Sequence, residues 1–178
     1  MTAARDRIAR PARIEPRRRA IVLAIPAVAF AGCGFELRRA PELRFRSIAL
    51  TGFAASSPMA EALRRQLLTT STTRIVEAPS QAEVVLQALG DSRRRSVVAS
   101  TAAGQVREIR LRTLFEFQLR TPSGKELIAP TEVELIRDMS FDESAALAKE
   151  EEQALVFRAM TNDIANQVIR RLAAVPGL

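Results

Sequence analysis

The one thiol in this chain is Cys33, and its neighbours give it a specific chemistry. It follows Ala31-Gly32, which end an apolar run from Ala20 to Phe30, and that run follows Arg17-Arg18-Arg19. Basic residues, a short apolar stretch, small residues and then a cysteine is the order in which an export signal is cleaved. In this variant the exposed thiol takes a diacylglycerol, and the new N-terminus then takes an acyl chain. The run is far shorter than the ~20 residues a membrane-spanning helix needs, and Pro26 disfavours a continuous helix within it. A buried structural cysteine after a basic arm is the alternative, but it does not account for the order of the segments. The expectation is that residues 1–32 are a cleaved signal, that Cys33 is lipidated, and that no other cofactor is needed.

The second set of residues with chemical potential is basic. Arg93, Arg94, Arg95, Arg107, Arg110, Arg112 and Arg120 fall on or near adjacent strands, several of them on the wet face of the sheet. Guanidinium forks match phosphate geometry, and a lysine adds a compact point charge. From charge alone the stronger reading is a solvated face balanced by Glu108 and Glu116.

Other chemistry is excluded by composition. The chain has no His, Trp or Tyr, which removes a Ser-His-Asp triad and any histidine metal site. The seven glycines are scattered and form no phosphate-binding loop. Glu132 and Glu134 alternate on a strand and read as a solvated face rather than an acid/base pair. Asp138 and Asp142 read as turn and helix-start residues. An enzyme is not expected. Nucleic acid is not an expected partner either. The net charge is +7, but residues 1–32 hold seven arginines and two acids, so the remainder carries only +2.

These residues need elements to hold them. Arg44–Leu50 reads as a strand ended by Gly52. A helix opens at Ser57-Pro58, with Ser57 as N-cap and Pro58 at the first helical position. Leu63, Leu67 and Leu68 form its apolar stripe, while Arg64 and Arg65 face out. Val84–Thr101 is a candidate long strand, interrupted in pattern at Gly90-Asp91-Ser92 and Arg93-Arg94-Arg95. After a turn at Ala102–Gln105, odd positions from Ile109 to Leu119 alternate with Glu108, Arg110, Arg112 and their successors, which implies one buried and one wet face. Pro122–Lys125 is a second turn. In the following strand, Glu126–Met139, Pro130 indicates an edge or a bulge.

The closing helix spans Glu143–Ala173, with Leu147, Ala154, Phe157, Ile164, Val168 and Leu172 at helical spacing. The order is β-α-β-β-β-α. The predicted class is α+β, a two-layer sandwich with two helices on one face of a mixed four-stranded sheet. The domains follow: signal 1–32, lipidated tether 33–43, one sandwich domain 44–178.

Several segments resemble one family. Cys33-Gly34-Phe35-Glu36-Leu37-Arg38 is similar to the opening of mature LptE-family lipoproteins of lipopolysaccharide assembly. The resemblance continues through Ser100–Leu111, Arg137-Asp138-Met139-Ser140-Phe141, the run from Ala146 to Gln153, and Gln167–Leu172. It implies a non-enzymatic protein, lipid-anchored at the periplasmic side of the outer membrane, that plugs and helps assemble an LptD-type β-barrel and binds lipopolysaccharide. The absence of Asp after Cys33 is compatible with that location. Lys149 matches a family lipopolysaccharide-binding position. The other falls in the turn before Gly104, where this chain has Ala102 and Ala103, and Arg107 or Arg93, Arg94 and Arg95 are then the candidates to substitute. A free envelope lipoprotein that binds a soluble or cell-wall ligand is the alternative.

Overall fold

The computed structural model of the chain describes residues 42–70 and 73–176. The signal, Cys33 and the tether up to residue 41 lie outside the described residues.

Strict alternation in the middle of the chain yields the longest elements. Strands β3 (Val84–Ser100), β4 (Val106–Arg120) and β5 (Glu126–Ser140) form an antiparallel meander. Both connections use one device. In Thr101–Gln105 and Thr121–Lys125, a threonine hydroxyl accepts from the amide four residues on, at 3.1 Å each time. Gly104 and Gly124 occupy positive φ, 81° and 93°. That is the three-residue hairpin with glycine at its left-handed position.

Before the meander lie β1 (Ser47–Thr51), helix α1 (Pro58–Leu68) and β2 (Arg74–Val76). The sheet order is β2-β1-β3-β4-β5, with β1 parallel to both neighbours. The sheet therefore has five strands rather than the four expected. β2 is three residues long, too short to show alternation. It exists because the free edge of β1 needs partners: the Arg74 amide donates to the Arg46 carbonyl at 2.8 Å. The remaining expectations of class hold: the fold is α+β, with a mixed sheet and two helices.

Ser57 caps α1, its hydroxyl accepting from the Ala60 amide at 3.1 Å. The cap also donates to Asp91 on β3 at 2.7 Å, fastening the helix start to the sheet. Met59, Leu63 and Leu67 are buried, but Leu68 is 75 % exposed and leaves the expected stripe. Gly52, at φ 78°, is where β1 turns towards α1; a Cβ there would sit 2.3 Å from the Ala88 carbonyl oxygen, so only glycine fits.

After a single 3-10 turn (Glu143–Ala145), α2 runs Ala146–Ala173. Its second half packs Ile164, Val168 and Leu172 with the α1 residues onto Phe115, Phe117 and Leu119. Phe53, Phe115 and Phe117 stack at centroid distances of 5.8 and 5.6 Å. A smaller cluster of Ile109, Leu111, Met139 and Met160 lies beyond. Between the two clusters sit Thr113 and Thr161, both buried.

Pro130 meets both expectations stated for it. β5 is an edge strand, and its register slips between Thr131 and Ile128 around that residue.

Candidate functional site

The three consecutive arginines of β3 do not share a face. Val84, Leu86 and Ala88 point to the helices, so unbroken alternation would send Arg94 there too. Register instead shifts between Ala88 and Gly90, where Leu89 is the extra residue. One bulged residue reverses every side chain after it. Arg93 and Arg95 therefore lie opposite Thr113 and Leu111 on the helix side, and Arg94 lies opposite Arg112 on the open side. The expected interruption of β3 is this bulge; the strand itself continues.

On the open face two arginines of β4 are spent on acids. Arg110 forms a two-point contact with Asp138, Nε and Nη2 each 2.7 Å from a carboxylate oxygen. That hydrogen bonding holds the Asp138 carboxyl below, and the Arg110 guanidinium above, their ordinary ranges. Arg112 pairs with Glu134. The balancing acids are thus on β5, rather than the Glu108 and Glu116 expected from sequence.

On the helix side, four of the five basic candidates gather along one line. Arg95 stands over the Phe141 ring, 4.9 Å from its centroid. Arg107 starts β4, and its carbonyl accepts from the Phe141 amide at 2.8 Å. Lys149, one turn into α2, donates to Ser140 at 3.2 Å and to Glu152 at 2.8 Å. Asp142 lies between Arg107 and Lys149. Its carboxyl is held below the usual range, first by hydrogen bonds from the Ser144 hydroxyl and amide, then by those two cations. Arg93 is deeper, donating to Thr161 Oγ1 at 3.0 Å with its guanidinium 5.9 Å from the Phe157 ring centre.

The end of the sandwich thus holds Arg95, Arg107 and Lys149 around Phe141–Ser144, while Arg94 is on the other face. Asp142 and Glu143 share with Arg107 a cleft of about 120 Å³. Ala102 and Ala103 are exposed at the hairpin tip and bring no charge. Among the described residues no cluster of three His, Cys, Asp or Glu could hold a metal ion, and no helix is long and apolar enough to cross a membrane.

The profile of the family described as lipopolysaccharide-assembly, LptE, matches residues 45–172, most of the chain. The chain belongs to the LptE family. It is 28 % identical over 159 residues to the LPS-assembly lipoprotein LptE of Pectobacterium atrosepticum, covering 88 % of this chain and 85 % of that one. Two solved structures share the fold. The lipoprotein B of Nitrosomonas europaea superposes with a TM-score of 0.68 at 26 % identity, over 79 % of this chain and 91 % of that one. The rare lipoprotein B of Shewanella oneidensis gives 0.62 at 28 %, over 72 % and 95 %. The LptE profile begins inside the sandwich, at Phe45, and takes in the whole meander and α2 up to Leu172.

Sequence reasoning missed Arg65 on α1 and Arg158 on α2, which approach Arg93 from the two helices. No local pattern announces them; the packing of α1 on α2 brings them together.

Proposed function

We propose that this chain is an outer-membrane lipoprotein of lipopolysaccharide assembly. Cys33 carries a diacylglycerol and an N-acyl chain, and these hold the sandwich at the periplasmic side of the outer membrane. There it acts without catalysis as the plug and assembly partner of an LptD-type β-barrel, and it binds lipopolysaccharide. The observation that carries this reading is the family match across residues 45–172 on a sheet and helices of the family's kind.

The surfaces support it. The open sheet face carries two cross-strand charge pairs, Arg110 with Asp138 and Arg112 with Glu134. Such a face suits a polar lumen better than a lipid or an apolar partner, because charges already paired at a surface cost little to keep there. For lipopolysaccharide, Arg95, Arg107 and Lys149 are the candidate phosphate contacts, since they converge on one segment. Arg93 belongs to the same side, and Arg94 is withdrawn from the set by its position on the opposite face.

Affinity purification of the full chain from detergent-solubilised membranes tests the partnership. A large β-barrel should accompany it in stoichiometric amount. If none does, the chain is a free envelope lipoprotein and the plug reading is wrong. Lys149→Glu should weaken lipopolysaccharide binding while leaving the barrel bound; unchanged binding removes Lys149 from the site. Cys33→Ser should release the chain from the membrane fraction.

A further inference from the structure

A groove of about 490 Å³ runs between α1, α2 and β3, and its near end, at Gln153, lies one helical turn beyond Lys149. Three guanidinium groups line it, from three different elements: Arg65, Arg93 and Arg158. They are organised by one turn of α2. Thr161 accepts from Arg93 at 3.0 Å, and its neighbour Asn162 accepts from Arg65 at 3.4 Å. Arg158 lies three and four residues before these acceptors, on the same helix face.

The positive charge in this groove is poorly compensated. Glu61 is the one acid on its wall, and it meets Arg65 at 3.8 Å with both side chains more than half exposed. A pair of that kind adds little. Arg158 has no ion-pair partner among the described residues. This contrasts with Arg110 and Arg112 on the open sheet face and with Lys149, each of which meets an acid. Gln153 and Asn162 add neutral polar groups, and the Phe157 ring, which Arg93 flanks, supplies an apolar wall.

We propose that this groove is a second anion site that holds a phosphate group. Three guanidinium forks lining one groove suit a phosphate group, whose oxygens accept from several of them at once. The aromatic wall beside them suits the adjoining sugar ring. The phosphate is either that of a glycolipid head group or free inorganic phosphate. The glycolipid source rests on the lipopolysaccharide reading above; the anion site itself does not.

The test uses the full chain in detergent, labelled so that arginine Nε–H signals are resolved. It is titrated with lipopolysaccharide, with phosphatase-treated lipopolysaccharide, and with inorganic phosphate. The Arg65, Arg93 and Arg158 signals should shift with a phosphorylated probe and stay in place with the dephosphorylated glycolipid. Shifts with lipopolysaccharide alone identify the head group as ligand; equal shifts with inorganic phosphate identify free phosphate.

The double variant Arg65→Gln/Arg158→Gln should weaken binding of the responding probe by about tenfold or more, because two charge-assisted contacts go. Both side chains are exposed, so the melting temperature should not move. Arg158→Gln alone, which breaks no internal ion pair, should show a smaller loss, and Arg158→Lys should restore part of it. The proposal is overturned if no signal shifts, or if the double variant binds every probe as the parent does. Barrel co-purification on the same variant keeps the two readings apart: a retained barrel with no groove binding rejects only the groove.

Discussion

The sandwich has two unlike ends built on the same strands. At one end, Phe115, Phe117 and Leu119 of β4 lie under both helices. At the other, Ile109 and Leu111 are covered by Met139, Met160 and a few half-buried neighbours. Element length explains the difference. β4 has 15 residues and is about 50 Å long, at about 3.3 Å per residue. α1, with 11 residues, reaches about 16 Å, and α2, with 28, about 42 Å. Only α2 is long enough to follow the strands, and alone it leaves Leu147 at 73 %, Leu155 at 59 % and Val97 at 54 % exposure. The difference teaches that equal alternation does not mean equal burial. One end is a thick core under two helices; the other is a thinner ribbon whose small cluster, Ile109, Leu111, Met139 and Met160, is covered by α2 alone, with other apolar side chains left exposed.

The largest expected contrast is in truncation. Phe115→Ala, in the stacked aromatic centre, should cost about 3–5 kcal/mol. Met139→Ala, at the ribbon end of an edge strand, should cost about 2 kcal/mol. Equilibrium urea unfolding of each variant measures both. Equal losses would mean that the two clusters are a single core. Hydrogen exchange sharpens the same point: amides of β3 from Arg93 to Ser100 should exchange by local opening well before those of Phe115 to Leu119.

The glycines separate by local contact rather than by end. Gly104→Ala and Gly124→Ala, each at positive φ in open space, should cost about 1 kcal/mol. Gly52→Ala should cost about 3 kcal/mol, because strain is joined by collision with the main chain of Ala88. Melting curves of the three variants rank them. If Gly52→Ala matches the hairpin variants, the approach of β1 to β3 is looser than it stands here.

Much of this was legible beforehand, and the misses share a cause. Alternation along β4, the Ser57 cap, both hairpin glycines and Pro130 are local signals, and each was read in place. Leu147 and Leu68 fall on apolar stripes yet are exposed, because periodicity says which side a residue faces, not whether anything covers that side. β2 was missed because three residues carry no period. The split of Arg93, Arg94 and Arg95 was hidden because one bulged residue, Leu89, decides it. Of the candidate residues, Arg107 stands out by the charge pattern of the strands and Lys149 by the family resemblance. Their shared neighbour Asp142 and the Arg65–Arg93–Arg158 groove depend on tertiary contacts that no short stretch encodes.

The seam between the two ends gives a smaller effect of unusual sign. The Thr113 hydroxyl is buried without a hydrogen-bond partner among the described residues, a state that costs about 1 kcal/mol or more. Thr113→Val should therefore leave stability unchanged or raise it by about 1 kcal/mol. Thr161→Val should instead destabilise by about 1 kcal/mol, since it leaves Arg93 without its acceptor. Two variants of like shape and opposite sign would locate the polar seam, and destabilisation by both would show that Thr113 finds a partner in solution.

The smallest effect is acid sensitivity, and it is expected at the ribbon end. The Asp138 and Asp142 carboxyls are both held below the usual range, one by Arg110 and the other by Ser144 with Arg107 and Lys149 nearby. A carboxyl whose pKa is lower in the folded chain than in the unfolded one stabilises the fold above the unfolded value, and that contribution is lost as pH falls through the folded one. Acidification from about pH 5 to about pH 2 should therefore loosen β4–β5 pairing near Arg110 first. The effect should shrink in high salt, because both groups are at the surface. Asp138→Asn should flatten the acid limb of the unfolding midpoint at the ribbon end and leave exchange at Phe115 and Phe117 unaltered. An acid limb that survives in Asp138→Asn/Asp142→Asn would place the sensitive carboxylates in the other half of the sandwich.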